Sequence, residues 1–338
     1  MATCDPMLKS EFDTDPQYYL KFLTYASVGG LLVNSFGIYI ILFHSPPHFK
    51  TYRWHLLNYQ ICSTFCDVIL GLCTAPVFFL PSAVGRPTGL FVKMGVSSGH
   101  QMTVASTFLH LILAATMHMF FYRWQMVVPN GSLLKFSRKV KAIILIITYI
   151  LFLTPHFILL PPTYQDQPSK RIELVEDFPN YRDIVDLPDV IIFYSKNDMA
   201  LAAYMFSETL LGGFLGCGMT WFWLHTAFIF HQKGKYSNES KQLQYRKYLL
   251  NLSSQMTIPI VTILYPGSLL GLIIIFRLRN VQEIAHIAFV LVSAHGAVGT
   301  FSIIGLNEHY RNYLLARFWS KCNTISSQKC IRKVKSGG

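Results

Sequence analysis

The chain of 338 residues is 52% hydrophobic and only 14% charged, with a mean hydropathy of +0.36, a formal charge of +12 and a pI near 9.3. A soluble domain carries roughly a quarter charged residues, so this composition excludes an ordinary water-soluble protein and indicates one built into a membrane. A basic balance also suits nucleic acid, but the repeated apolar runs do not, and nucleic-acid binding is set aside.

Seven apolar spans read at about 22–43, 55–81, 91–122, 141–162, 200–230, 248–276 and 282–306, which predicts an all-α, seven-transmembrane helix bundle. Residues 1–21 precede the bundle and a basic tail, 307–338, follows it. The polar N-terminus has no basic n-region with a short apolar core, so the first span is expected to serve as its own insertion signal. Lys and Arg set the orientation. The N-terminus and the loops after spans two, four and six hold ten of them, and the opposite set of loops with the tail holds nineteen. Acids run the other way, about thirteen against two, so the N-terminus is expected outside. Sequons at Asn130, Asn238 and Asn251 then fall inside or at membrane depth, where none is glycosylated.

Span one carries Asn34, with Gly29 and Gly30 for close helix contact. Span two carries Asp67, whose ionised carboxylate would cost roughly 2.5–3.5 kcal/mol at mid-bilayer on insertion scales. It should face the bundle interior, with Asn34, Ser293 and His295 as partners, either as a conformational or cation-sensing switch or as a static knot between helices. Pro76 and Pro81 should kink or end this span.

Span three is the organising element. Between Lys93 and Arg123 lie 29 residues with no Lys, Arg, Asp or Glu. At 100° per residue His100, Thr103, Thr107, His110 and His118 fall within roughly 80°, a polar stripe on an otherwise apolar helix. Such a stripe either lines a ligand cavity or hydrogen-bonds neighbouring helices. The span closes on Tyr122-Arg123-Trp124, a cluster suited to the membrane boundary.

Span four ends in Pro155 and Pro161-Pro162. The outer loop that follows, Thr163 to Met199, holds eight acids and four bases, and its run 190–194 is expected to form a strand or line the bundle mouth. Span five carries a second acid, Glu208, beside Tyr204, Ser207 and Thr209; it meets either a cationic ligand or His100 or His110. Residues 233–247 form a basic inner extension that includes Arg246 and Lys247. In span six, Pro259 and Pro266, flanked by Gln255 and Tyr265, mark an expected hinge. The tail after Tyr310-Arg311 is basic and suits an anionic inner leaflet, with Cys322 and Cys330 as palmitoylation candidates.

Catalytic motifs are missing: there is no phosphate-binding glycine loop, no GxSxG, no HExxH and no Cys/His set with zinc spacing. No enzyme activity, metal or cofactor is expected. A transporter remains the runner-up, although no repeat is visible.

Seven spans with basic inner loops suggest a receptor, and particular residues carry that further. TYRWHLLNYQICSTFCDV into span two, the AP…FLP after it, FFYRWQ closing span three, QLQYRKYLLNLSSQMTIP into span six and SAHGAVGT…HYRNYL from span seven are similar, in order and spacing, to the nematode serpentine chemoreceptors. Within them the chain resembles the superfamily containing classes H and I, over about residues 18–316. GHQM and FYRWQ lean to class I, and LQYRKYLLNLSSQMTIP fits class H as well. The resemblance implies a G-protein-coupled fold in the plasma membrane of ciliated chemosensory endings, a small-molecule ligand and a heterotrimeric G protein. The chain departs from rhodopsin-like receptors in lacking D/E-R-Y, C-W-x-P, N-P-x-x-Y and the outer Cys pair. The expected pocket lies between spans three, five and six, lined by His100, Thr103, Thr107, His110, Glu208 and Tyr265. Arg123, Arg246, Lys247, Tyr310 and Arg311 are expected to face the G protein, with a lipid anchor as the other reading of Arg123. An uncoupled relative of such receptors is the alternative in function.

Overall fold

The computed structural model describes residues 12–45, 51–196 and 199–316. Six helices are long and apolar enough to cross a membrane: Gln17–Phe43, Tyr52–Thr74, Ser98–Val127, Arg138–Thr163, Met199–Gly234 and Glu239–Ile275. A seventh span is the pair Gln282–Ser293 and His295–Leu306, bent by 45°. Cys4, Cys322, Cys330 and the basic tail beyond residue 316 lie outside the described residues.

Span three is the axis. Two-thirds of its most apolar window is buried, against 11–50% in the other five long helices, and it packs on spans two, four and five. Small residues at Ala105, Ala114, Ala115 and Thr116 let those neighbours approach closely. Span four is the opposite case. Its Ile143, Ile146, Ile147, Ile150 and Ile158 are all more than half exposed, a surface compatible with lipid and not with water.

Span two does not run to residue 81. It widens into a π turn at Ile69–Thr74 and stops at Ala75, which takes a left-handed φ of 39°. Pro76 cannot continue a helical ladder, and the chain turns into a hairpin, β1 (Pro76–Phe79) against β2 (Val84–Pro87). Both prolines sit at the strand ends, where a missing N–H does least harm. Thr88 and Gly89 donate their amides to the Thr74 carbonyl that the widened turn releases, each at 3.0 Å. A side chain at Gly89 would strike the backbone of Leu72 and Cys73, so only glycine permits this approach.

The run 190–194 forms a strand, β3 (Ile191–Ile192), paired antiparallel with β2. Under this three-stranded cap lies a second core of Phe12, Val77, Phe79, Leu174, Tyr181 and Ile184. The four described cysteines are free, and side-chain-to-backbone bonds hold the outer loop instead. Lys170, buried on the short helix Gln167–Asp177, donates to the carbonyls of Thr163 at 2.9 Å and Phe193 at 3.1 Å. Gln167 pairs both ways with the backbone of Ile192, and Arg171 reaches the Val185 carbonyl.

The rim of this cap is pH-sensitive in one direction. Ser195 Oγ and Lys196 N donate to Glu173 Oε2 at 2.7 and 3.0 Å, and the Tyr194 hydroxyl to Asp177 Oδ2 at 2.6 Å. The Ser195 hydroxyl, then the Lys196 amide, hold the Glu173 carboxyl below its ordinary range, and the Tyr194 hydroxyl does the same for Asp177. A depressed carboxylate stabilises the fold above its unfolded pKa, and that contribution is lost as pH falls through the lower folded value. The protection of the amides at residues 194–196, taken relative to their intrinsic exchange at each pH, is therefore expected to stay flat from roughly pH 8 down to 5 and to fall below about pH 4. A loss of protection that begins near neutrality would contradict the assignment.

Candidate functional site

Three spans converge on a polar cluster in the outer half of the bundle. On span three, Thr103, Ser106, Thr107 and His110 follow the i, i+3, i+4, i+7 rule and so share one face. The Nε2 of His110 lies 3.0 and 3.1 Å from the two carboxylate oxygens of Glu208 on span five. Its Nδ1 lies 2.7 Å from the Ser106 carbonyl, which can only accept, so Nδ1 carries a proton. The second contact is then either imidazolium to carboxylate or a carboxylic acid to imidazole, and both forms share one proton between the two side chains. The His110 side chain is 1% exposed and that of Glu208 28%, so one face of the acid stays open.

His156 of span four stacks on His110 with ring centroids 4.9 Å apart. Its Nε2 is 3.2 Å from the Thr103 carbonyl and 3.1 Å from Thr107 Oγ1, and its Nδ1 is 3.1 Å from Ser106 Oγ. Assigning the ring proton to Nε2 gives a directed chain: the Tyr204 hydroxyl donates to Ser106 Oγ at 3.2 Å, Ser106 to His156 Nδ1, and His156 Nε2 to Thr103. Nearer the outside, Thr103 Oγ1 pairs with the Tyr164 hydroxyl at 3.0 Å.

The expected pocket lay between spans three, five and six, and the bonds above bring span four, not span six, against spans three and five. Tyr265 is 62% exposed on span six and joins none of these bonds, a correction to its expected place in the wall. His100 is also corrected. It is exposed at the first turn of span three, and its Nδ1 lies 2.6 Å from Ser97 Oγ, so Glu208 pairs with His110 instead. His118 turns towards span two and packs edge-on against His55 at 4.6 Å. Sequence reasoning missed His156 and Ser106. A lone histidine in the uncharged run of span four was the signal that could have found them, since a polar ring at membrane depth needs a partner.

A second polar knot joins spans one, two and seven. Asp67 Oδ2 accepts from Asn34 Nδ2 at 2.9 Å, and Oδ1 accepts from the Gly296 amide at 3.1 Å. The span-seven partner is thus a backbone amide, not the Ser293 or His295 side chain. The bend at Ala294 makes His295–Leu306 a new helix with free first-turn amides, and Asp67 meets their partial positive charge. Gln60 Nε2 reaches Asn34 Oδ1 at 3.2 Å and Thr300 Oγ1 at 2.6 Å. His295 belongs to a separate chain: the Tyr59 hydroxyl meets its Nε2 at 2.9 Å, and its Nδ1 meets Thr262 Oγ1 at 2.6 Å. Thr262 donates onward to the Ile258 carbonyl at 2.7 Å, which fixes the direction of the chain. Thr262 lies inside a π turn, Ile260–Leu264, between Pro259 and Pro266. Pro266 has no N–H for the Thr262 carbonyl four residues back, so the ladder widens at the expected hinge.

At the inner end Arg123 is half-buried. Its guanidinium lies 4.9 Å above the Tyr52 ring, and its Nε donates to the Tyr52 hydroxyl at 2.8 Å. Arg246 is exposed; Lys247 pairs with Glu308 at 3.1 Å; Arg311 donates to the Gly305 carbonyl at 2.8 Å. Tyr310 was expected to face the G protein, and its side chain is turned into the bundle instead. It is fully buried, with its hydroxyl 2.7 Å from Ser45 Oγ at the end of span one.

The family model described as serpentine type 7TM GPCR chemoreceptor Srh matches residues 14–320, which takes in all seven spans. No curated protein matches the chain.

Proposed function

Because this chain belongs to the serpentine 7TM GPCR chemoreceptor family Srh, the H class that sequence alone left undivided from class I, we propose that it binds a small hydrogen-bonding environmental molecule at the His110–Glu208 cluster and signals through a heterotrimeric G protein. The chain is an integral membrane protein of a chemosensory receptor class. Its place is the plasma membrane, at a sensory cilium, with the basic inner loops against anionic lipid. The observation that carries the reading is the partly open Glu208 carboxylate, paired with a buried histidine beside hydroxyls of spans three and five and the His156 ring of span four. A ligand with both a donor and an acceptor competes for these bonds. Its binding favours one packing of spans three, four and five over another.

Span three links the two ends. It carries the cluster outside and Arg123 inside, so a shift of span three against span two opens the Arg123–Tyr52 contact. Tyr52→Phe removes the hydroxyl acceptor and is expected to raise ligand-independent signalling by roughly ten- to a hundredfold, the range of one hydrogen bond to a charged group. An unchanged baseline would remove Tyr52 from the coupling path. The test of the whole reading is G-protein dissociation in cells expressing the chain, screened against pooled volatile and water-soluble odorants. A dose-dependent response is expected, lost in Arg123→Gln with surface expression intact. A response that survives Arg123→Gln would leave Arg123 as a lipid anchor.

A further inference from the structure

A cleft of about 840 Å³ opens between the outer ends of spans one and seven, away from the three spans that form the His110–Glu208 cluster. Its polar lining is one-sided in charge. Asp13 and Glu283 bring two carboxylates, and no Lys or Arg is among its described lining residues. Gln282 fixes the approach of Asp13 by clasping its backbone, accepting from the Asp13 amide and donating to the Asp13 carbonyl, each at 2.9 Å. At the floor lies His286, only 6% exposed, its ring stacked flat on Tyr19 at 4.0 Å. Among the described residues its Nε2 finds no hydrogen-bond partner, although it is buried. An orphaned ring nitrogen of this kind is costly unless something else meets it. Phe22 and Leu291 extend the wall as apolar surface facing the lipid.

We propose that this cleft is a second binding site, for an amphiphilic primary amine that enters from the outer leaflet. An ammonium group matches each polar feature at once. It offers N–H donors to His286 Nε2, positive charge to Asp13 and Glu283, and a cation for the faces of the tyrosines. Its alkyl chain lies along Phe22 and Leu291. A carboxylic acid would meet two like charges, and an alcohol would leave both carboxylates unanswered.

The test uses the full-length protein in phosphatidylcholine nanodiscs and a photoactivatable dodecylamine, with labelled peptides mapped by mass spectrometry. Labelling is expected within residues 13–22 and 282–291, competed by dodecylamine at about tenfold lower concentration than by dodecanol, with dodecanoate weaker still. The double variant Asp13→Asn/Glu283→Gln alters two exposed side chains and is expected to fold normally and to lose about tenfold in affinity. His286→Phe should lower labelling further, and Glu208→Gln should leave it unchanged. Labelling spread evenly over the lipid-facing spans would overturn the proposal. So would equal competition by dodecanol, full affinity in the double carboxylate variant, or loss of labelling in Glu208→Gln; competition by phosphatidylethanolamine would support the site and identify a lipid headgroup as the source of the amine.

Discussion

His110→Phe is expected to lower the stability of the folded bundle by about 2–3 kcal/mol, and adding Glu208→Leu to recover most of that loss. The single change leaves the Glu208 carboxylate at membrane depth without the imidazole that now meets both its oxygens. Because 28% of the Glu208 side chain remains exposed, the cost lies below that of a fully buried orphan. The double change replaces both polar partners with apolar groups of similar size, which is close to neutral for a desolvated pair. Glu208→Gln keeps a hydrogen-bonding amide in place and should cost about 1 kcal/mol. Function divides the variants differently. Neither His110→Phe nor the double variant should respond to ligand, although the double variant reaches the surface normally. Thermal unfolding in nanodiscs gives the stability cycle, and G-protein dissociation gives the response. A double variant as unstable as the single one would show that the pair is not the unit of coupling. A normal response in the double variant would sink the site.

Much of the bundle was legible because hydropathy records lipid contact directly, and what lies between helices was legible only by face. Val77-Phe78-Phe79-Leu80 is apolar whether it is helix or strand, so by hydropathy alone it extends span two. Pro76 and a left-handed Ala75 decide otherwise. The polar face of span three followed from a period of 3.6, but the period cannot say which span lies opposite. Tyr164 and Tyr265 are equivalent on that ground, yet one bonds Thr103 and the other faces out. Asn34 and Asp67 were easier, because an acid in lipid must find partners and few other polar side chains stand at that depth. The amide of Gly296 leaves no trace in a pattern of side chains. It becomes a donor only because span seven bends.

That amide sets the second prediction. Gly296→Ala is expected to destabilise the bundle by about 2–4 kcal/mol and to empty the cell surface, although it adds a single methyl group. The added Cβ would strike Asp67 Oδ2 and stand 2.6 Å from Ser63 Oγ and 2.8 Å from Asn34 Nδ2. Two of these three atoms, on Asp67 and Asn34, have no room to yield. Asp67 is held by Asn34 and by the backbone of span seven, and Asn34 is held in turn by Gln60 and Thr300. Relief therefore separates span seven from span two and breaks a set of hydrogen bonds inside lipid, where water does not replace them. Asp67→Asn is the informative comparison. It keeps the volume and one acceptor for Gly296, but sets one amide NH2 against another at Asn34, and should cost only about 1–2 kcal/mol. Surface expression and thermal unfolding of the two variants rank them. Gly296→Ala falling below Asp67→Asn means that close packing of span seven on span two holds this end of the bundle. The reverse order would mean that the buried carboxylate, more than the close fit around it, holds the two spans together, and would turn the knot from a packing device into an electrostatic one.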